Sequence, residues 1–135
     1  MKQIIPYLII PGQCQTALEF YRDCFAGQIK MLQTYRQAGM YDVSKESLDR
    51  IAHAEFQAEE IRFFASDGFE GQEVQTGTNL ALSVDFESVE KQQQVFDKLK
   101  VGGKVTLDFS QTSDNSTLAT LVDRYGFHWY LNHRH

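Results

Sequence analysis

FYRDCFAGQIKM (residues 20–31) and FDKLKVGGKVTL (residues 96–107) carry the same punctuation, and the fold follows from that likeness. Phe20 and Gly27 match Phe96 and Gly103 at one constant offset, and Ile29-Lys30-Met31 matches Val105-Thr106-Leu107. In each stretch the end of a helical pattern meets a glycine, and an alternating run suited to a strand follows.

Outward from the first stretch, Ala17, Leu18, Tyr21 and Phe25 recur at helical spacing, with Phe20 and Cys24 widening the stripe. They predict an amphipathic helix over about residues 13–25. Ile4–Ile10 is an apolar, β-branched run closed by Pro11-Gly12 and reads as a strand. Strands follow at 28–35, 50–57 and 61–66, the last two joined by the turn Ala58-Glu59-Glu60. The polar segment 36–49 reads as a loop with at most a helical turn.

Outward from the second stretch the order repeats. A strand is expected at 79–86, a helix at 88–101 ended by Gly102-Gly103, and a strand at 104–109. After a polar turn at 111–115, a closing hairpin (117–123 and 127–132) turns around Arg124-Tyr125-Gly126. Ser88 is a candidate N-cap, but Lys91 stands where a capping box has Glu or Gln. Residues 67–78 have no hydrophobic period and read as the connection between halves.

The expected fold class is therefore α+β: duplicated βαβββ modules forming two curved four-stranded mixed sheets, with a helix packed on each outer face. One domain spans 1–135, with module one about 1–66, a connection about 67–78 and module two about 79–135. Neither half buries its own sheet alone, so pairing the copies is the natural solution, with the inner faces enclosing a cavity.

Composition narrows the function. The chain has 135 residues, 42% hydrophobic and 23% charged, which suits a globular protein. A net charge of -5 without a basic run argues against a nucleic-acid partner. No apolar run approaches the roughly 18 residues that span a bilayer, so no membrane partner is expected. The opening MKQIIPYLIIPG superficially resembles a leader, but Pro6 and Pro11 break it and a small-residue cleavage site is lacking. Cys14 and Cys24 fall on one predicted helix, separated by ~15 Å of rise, too far for a disulfide. They read as reduced, packing thiols of a cytoplasmic protein.

Several stretches resemble the PhnB-like branch of the vicinal-oxygen-chelate (glyoxalase/bleomycin-resistance/dioxygenase) superfamily. They are Pro6-Tyr7-Leu8 with Ala17-Leu18-Glu19-Phe20-Tyr21, His53-Ala54-Glu55-Phe56, and Asn79-Leu80-Ala81-Leu82-Ser83-Val84. Phe96-Asp97-Lys98-Leu99 with Gly102-Gly103-Lys104-Val105 follows, and Asp123-Arg124-Tyr125-Gly126-Phe127-His128-Trp129 completes the set. The likeness spans the chain. It departs before the last hairpin, where Ser113-Asp114-Asn115-Ser116 replaces a Trp-Gly-containing stretch.

Metal-dependent members of the superfamily hold a divalent ion with four side chains from different strands. The resemblance places those positions on Pro6, Glu55, Asn79 and Tyr130, which keeps one ligand of the four. Proline cannot ligate through its side chain, and Asn and Tyr replace His and Glu poorly. The expectation is no metal site and no cofactor.

Residues two apart on a strand share a face. If Glu55 faces the cavity, so does His53; if Tyr130 does, so does His128. By the same parity the first strand offers Pro6, Leu8 and Ile10, and the fifth Asn79, Ala81 and Ser83. The candidate ligand-binding residues are thus His53, Glu55, Asn79, His128 and Tyr130 among apolar walls, the usual make-up of a small-molecule site. The catalytic residues are not identifiable from sequence. His53 and Glu55 read first as a hydrogen-bonded polar pair ordering the pocket floor, otherwise as a general-base pair or two ligands of a rearranged ion site. Trp129 reads as core, and Phe63 and Phe64 as core and pocket wall on opposite faces.

The leading function is binding a small organic molecule in the cavity, as in antibiotic-sequestering members. The alternative is a metal-dependent lyase, isomerase or dioxygenase using His53, Glu55 and His128. Relatives are commonly homodimers, so a homodimer is the implied assembly. No phosphate-cradling loop, nucleophile elbow or paired Cys-x-x-Cys occurs, nor a glycine-rich turn for a methyl donor.

Overall fold

The protein is described here from a computed structural model covering residues 2–112 and 114–135. Ser113, in the stretch that departs from the relatives, lies outside the described residues. The chain divides into two units, Met1–Val74 and Gln75–His135.

In the first unit, β1 (Tyr7–Ile9) leads to α1 (Cys14–Phe25), then β2 (Gln28–Thr34), a 3-10 turn (Lys45–Ser47), β3 (Ile51–Gln57) and β4 (Arg62–Ser66). The sheet order is β1-β4-β3-β2, with β1 parallel to β4 and the other pairs antiparallel. One face is dry. Leu8, Ala54, Phe56, Phe63 and Ala65 are buried there with the α1 stripe Ala17, Leu18, Tyr21 and Phe25. Tyr21 meets Phe63 edge-on at 5.6 Å, and Phe56 stacks on Phe63 at 4.9 Å, geometries that aromatic rings prefer.

In the second unit, β5 (Leu82–Asp85), α2 (Val89–Leu99), β6 (Lys104–Gln111), β7 (Ser116–Val122) and β8 (His128–Arg134) build a sheet of order β5-β8-β7-β6. Trp129, Leu131, Ala119, Leu121 and Val84 are buried with Val95, Phe96 and Leu99 of α2. Ser88 caps α2, its hydroxyl accepting from Lys91 N at 3.1 Å, as the sequence suggests. Gln92, wholly buried, donates from its amide to the carbonyls of Thr117 and Leu131, both at 2.9 Å, and so pins α2 to β7 and β8.

The duplication reaches the backbone. Each unit has a bulge early in the strand after its helix, between Ile29 and Met31 in β2 and between Val105 and Leu107 in β6. Both irregularities fall on the repeat-matched tripeptides. A bulge sharpens local twist, which suits a strand bending over its helix.

Two expectations need correction. β5 begins at Leu82, so Asn79 lies in a bend before the strand. Leu80 beside it is 78% exposed, so residues 79–81 bury no apolar surface that would favour sheet pairing. In β1 the parity is reversed: Leu8 and Ile10 are buried in the core, while Tyr7, paired in register with Phe64, shares the face of Glu55.

Candidate functional site

The sheet face turned away from α1 is built by register. Tyr7, Phe64, Glu55 and Met31 form one row across β1, β4, β3 and β2, and His53 opposite Gln33 lies on the same face. This face is chemically mixed where the other is dry. Tyr7 is 45% and Met31 42% exposed, and the His53 and Glu55 side chains are 32% and 28% exposed.

His53 lies next to the row and contacts three of its neighbours on that face. Its Nε2 lies 3.5 Å from Glu55 Oε2, and its Nδ1 lies 3.4 Å from the Tyr7 hydroxyl. Its ring sits 5.1 Å from the Phe64 ring and 5.8 Å from that of Tyr7, and the Arg62 guanidinium lies over Phe64 at 5.4 Å. The structure therefore brings His53 and Glu55 together as expected and adds Tyr7, which sequence parity missed.

A pocket of about 340 Å³ opens beside this row. Tyr7, Ile9, Ser66 and Tyr35 line it, with the segment Gly68–Gln72 as a wall. Ala52, also lining it, is the extra residue where Gln33 pairs with His53 but Thr34 pairs with Ile51. The wall is tied down. Ser44, first through its side chain and then through its backbone N–H, and the Ser47 hydroxyl hydrogen-bond to Glu70 and hold its carboxyl below the usual range.

A second pocket of about 400 Å³ lies at the start of α1, lined by Cys14, Arg50 and Asp67 among others. Asp67 is buried and accepts from Cys14 N at 3.0 Å and Ile51 N at 2.7 Å, so it joins α1 to β3. Burial, and then the Asp67 charge, push the Cys14 thiol up to about 12. A thiolate is the reactive form, so native protein should leave Cys14 unmodified by an aromatic disulfide reagent at pH 8, while urea-unfolded protein reacts. Rapid labelling of the native thiol would show this account of its burial to be mistaken.

The remaining candidates lie in the second unit. Ser83, Tyr130, Thr120 and Leu107 form the row across β5, β8, β7 and β6 that matches the row of the first unit. Tyr130 is 47% exposed on that row. His128 lies on the same face, and its Nε2 donates to the Gly77 carbonyl at 3.1 Å. Asn79, before β5, is exposed.

Matching the rows pairs equivalent positions of the two units. Tyr130 corresponds to Phe64, Glu55 to Thr120, and Tyr7 to Ser83. At the positions equivalent to Tyr130 and its β5 neighbour stand Phe64 and Tyr7, and none of the four is a His or carboxylate. Among the described residues no three His, Cys, Asp or Glu side chains are grouped to hold an ion. The donor set does not fit the divalent ion implied for metal-dependent relatives.

A family model described as 3-demethylubiquinone-9 3-methyltransferase matches residues 2–132. The fold is similar to protein PA1353 from Pseudomonas aeruginosa, 24% identical, covering 99% of this chain and 98% of that one with a TM-score of 0.85. A PhnB protein from Bacillus cereus is 22% identical over 98% of this chain and 99% of its own, with a TM-score of 0.79. A glyoxalase/bleomycin resistance protein from Albidiferax ferrireducens T118 is 15% identical over 99% and 100%, with a TM-score of 0.64. None of the curated proteins matches. Among the described residues no helix is long and apolar enough to cross a membrane.

Proposed function

We propose, because this chain belongs to the 3-demethylubiquinone-9 3-methyltransferase family, the PhnB-like branch of the vicinal-oxygen-chelate superfamily, that it binds a small organic molecule on the open sheet face of its first unit. The observation that carries this reading is the chain Tyr7–His53–Glu55 on an aromatic face beside a 340 Å³ pocket. Aromatic walls with a few convergent polar groups are what a small-molecule site requires. The family name describes methyl transfer, but the two βαβββ units offer that chemistry no distinctive support, and fold alone does not assign a reaction.

His53 and Glu55 are the ligand-site residues of this unit, now with Tyr7. Tyr130, His128 and Asn79 of the second unit stand on or beside its own open face and are proposed as ligand-facing there. A homodimer and a cytoplasmic setting remain the working assembly and location, the latter supported by the buried thiols Cys14 and Cys24, which form no disulfide.

A library of flat aromatic fragments, read by amide shifts in two-dimensional NMR, tests the site. Binders should move Tyr7, Ile9, Ala52 and Ser66 together. His53→Ala should weaken the best fragment by about threefold to tenfold, the worth of one hydrogen bond to a neutral group. Shifts that cluster elsewhere, or none across the library, would sink the reading.

A further inference from the structure

Far from the first-unit pocket in sequence, the closing strand β8 ends on two histidines whose rings meet. His133 and His135 are two residues apart, and their ring centres lie 5.0 Å from one another with the planes at 88°. His133 shares the parity of the buried Trp129 and Leu131, so the pair stands on the α2 side of the sheet. Tyr130 and His128 occupy the opposite, open face.

Each ring has one nitrogen held by the protein. His133 Nδ1 lies 2.8 Å from the Phe86 carbonyl. A carbonyl can only accept, so in the neutral ring this nitrogen carries the proton and Nε2 is a lone pair. His135 Nε2 lies 2.6 Å from the Thr117 hydroxyl. A hydroxyl both donates and accepts, so the proton of His135 can settle on Nε2 and release Nδ1 as a second lone pair whenever a ligand calls for it. Among the described residues neither His133 Nε2 nor His135 Nδ1 has a hydrogen-bond partner.

The frame around them is fixed. Phe86 N donates to the Asn132 carbonyl at 2.8 Å, and His135 N to the Asn115 carbonyl at 3.0 Å. The wholly buried Gln92 holds the Thr117 carbonyl at 2.9 Å. A metal-binding imidazole characteristically gives its other nitrogen to a carbonyl or another polar group, which sets the tautomer and the ring orientation.

We infer that His133 Nε2 and His135 Nδ1 form a two-histidine site for a divalent ion of the copper, nickel and zinc class, with Phe86 and Thr117 as positioning residues. Two imidazoles on one tetrahedral ion, each nitrogen about 2.0–2.1 Å from it, hold their ring centres about 5 Å apart. The rings of His133 and His135 already have that separation. Water fills the other positions, since among the described residues no third His, Cys, Asp or Glu joins the pair. A bound ion would clip the end of β8 to β7 through Thr117 and to the entry of α2 through Phe86.

Copper(II), titrated into the full chain, tests the site by amide spectra and electron paramagnetic resonance. One equivalent should first broaden the amides of Phe86, Thr117, His133 and His135, with hyperfine coupling to two nitrogens. Zinc should compete at the same amides more weakly, following the usual order of divalent affinities. His133→Gln and His135→Gln should each remove stoichiometric binding, and Thr117→Val, which keeps both ligands, should weaken it by about tenfold. His53→Gln should leave it unchanged. The ion-free spectrum of each variant is the control for folding. Broadening that centres on His53 or His128, that survives His133→Gln, or that needs a large excess of copper would overturn the inference.

Discussion

Asp123→Ala is expected to destabilise the protein by about 3–5 kcal/mol, among the largest effects of any single side chain outside the aromatic core. Asp123 is 3% exposed and stands where β7 ends and the closing turn begins. Its carboxylate accepts from Tyr125 N at 2.8 Å, from Phe127 N at 3.1 Å and from the Trp129 indole at 2.8 Å. Alanine would leave these donors facing a void, and the indole belongs to a residue that is wholly buried. Each orphaned donor costs about 1–3 kcal/mol, less than additively because water partly fills the gap. Urea unfolding checks the total. A double-mutant cycle with Trp129→Phe isolates the indole bond, and a loss under about 1 kcal/mol for Asp123→Ala would show that the turn holds itself.

The closing turn also shows what was legible in sequence. Arg124-Tyr125-Gly126 announces a hairpin, and the helices announce themselves by spacing and by the glycines after them. The Ser88 cap and the repeat of Gly27 by Gly103 were readable for the same reason, since each is a local requirement written in one residue. What failed depends on pairing across the chain. Ile4–Ile10 is apolar at nearly every position, so it carries no alternation to say which residues face the core. The resemblance alone supplies the parity there, and a shift of one residue exchanges Tyr7 for Leu8. Hydrogen bonding to β4 sets the answer. Phe69 and Gln72 escape a sequence reading because they sit in a segment with no period, and Tyr35, the last residue of the predicted strand 28–35, lies just past the end of β2. The one signal in the sequence is Tyr35 itself, an aromatic residue next to a polar segment, which the structure buries. His53 and Glu55 were found because i, i+2 spacing survives any choice of register.

Gly103→Ala is expected to cost about 3 kcal/mol, and Gly27→Ala less, although the repeat makes the two glycines counterparts. Neither has a positive φ, so the argument is about space and not about backbone freedom. A methyl on Gly27 would meet the Phe56 ring at 2.6 Å, the Gln57 carbonyl oxygen at 2.9 Å and the Ala58 Cβ at 3.1 Å. Part of that crowding is a side chain, which can tilt. A methyl on Gly103 would overlap the Val122 carbonyl oxygen and sit 3.0 Å from both Cα and C of Asp123. Every one of those atoms is backbone, and Val122 is held on that same side by its pairing with Lys104 and on the other by its pairing with His128. Relief therefore requires moving the segment from which Asp123 grips the turn. The two sites should consequently couple: in the double variant with Asp123→Ala, the Gly103→Ala cost should shrink, because the grip it disturbs is already gone. Additive losses would place the strain in the β6–β7 pair alone. Small and equal losses for both glycines would show that the strand ends yield to a methyl, and that helix termination is their whole role.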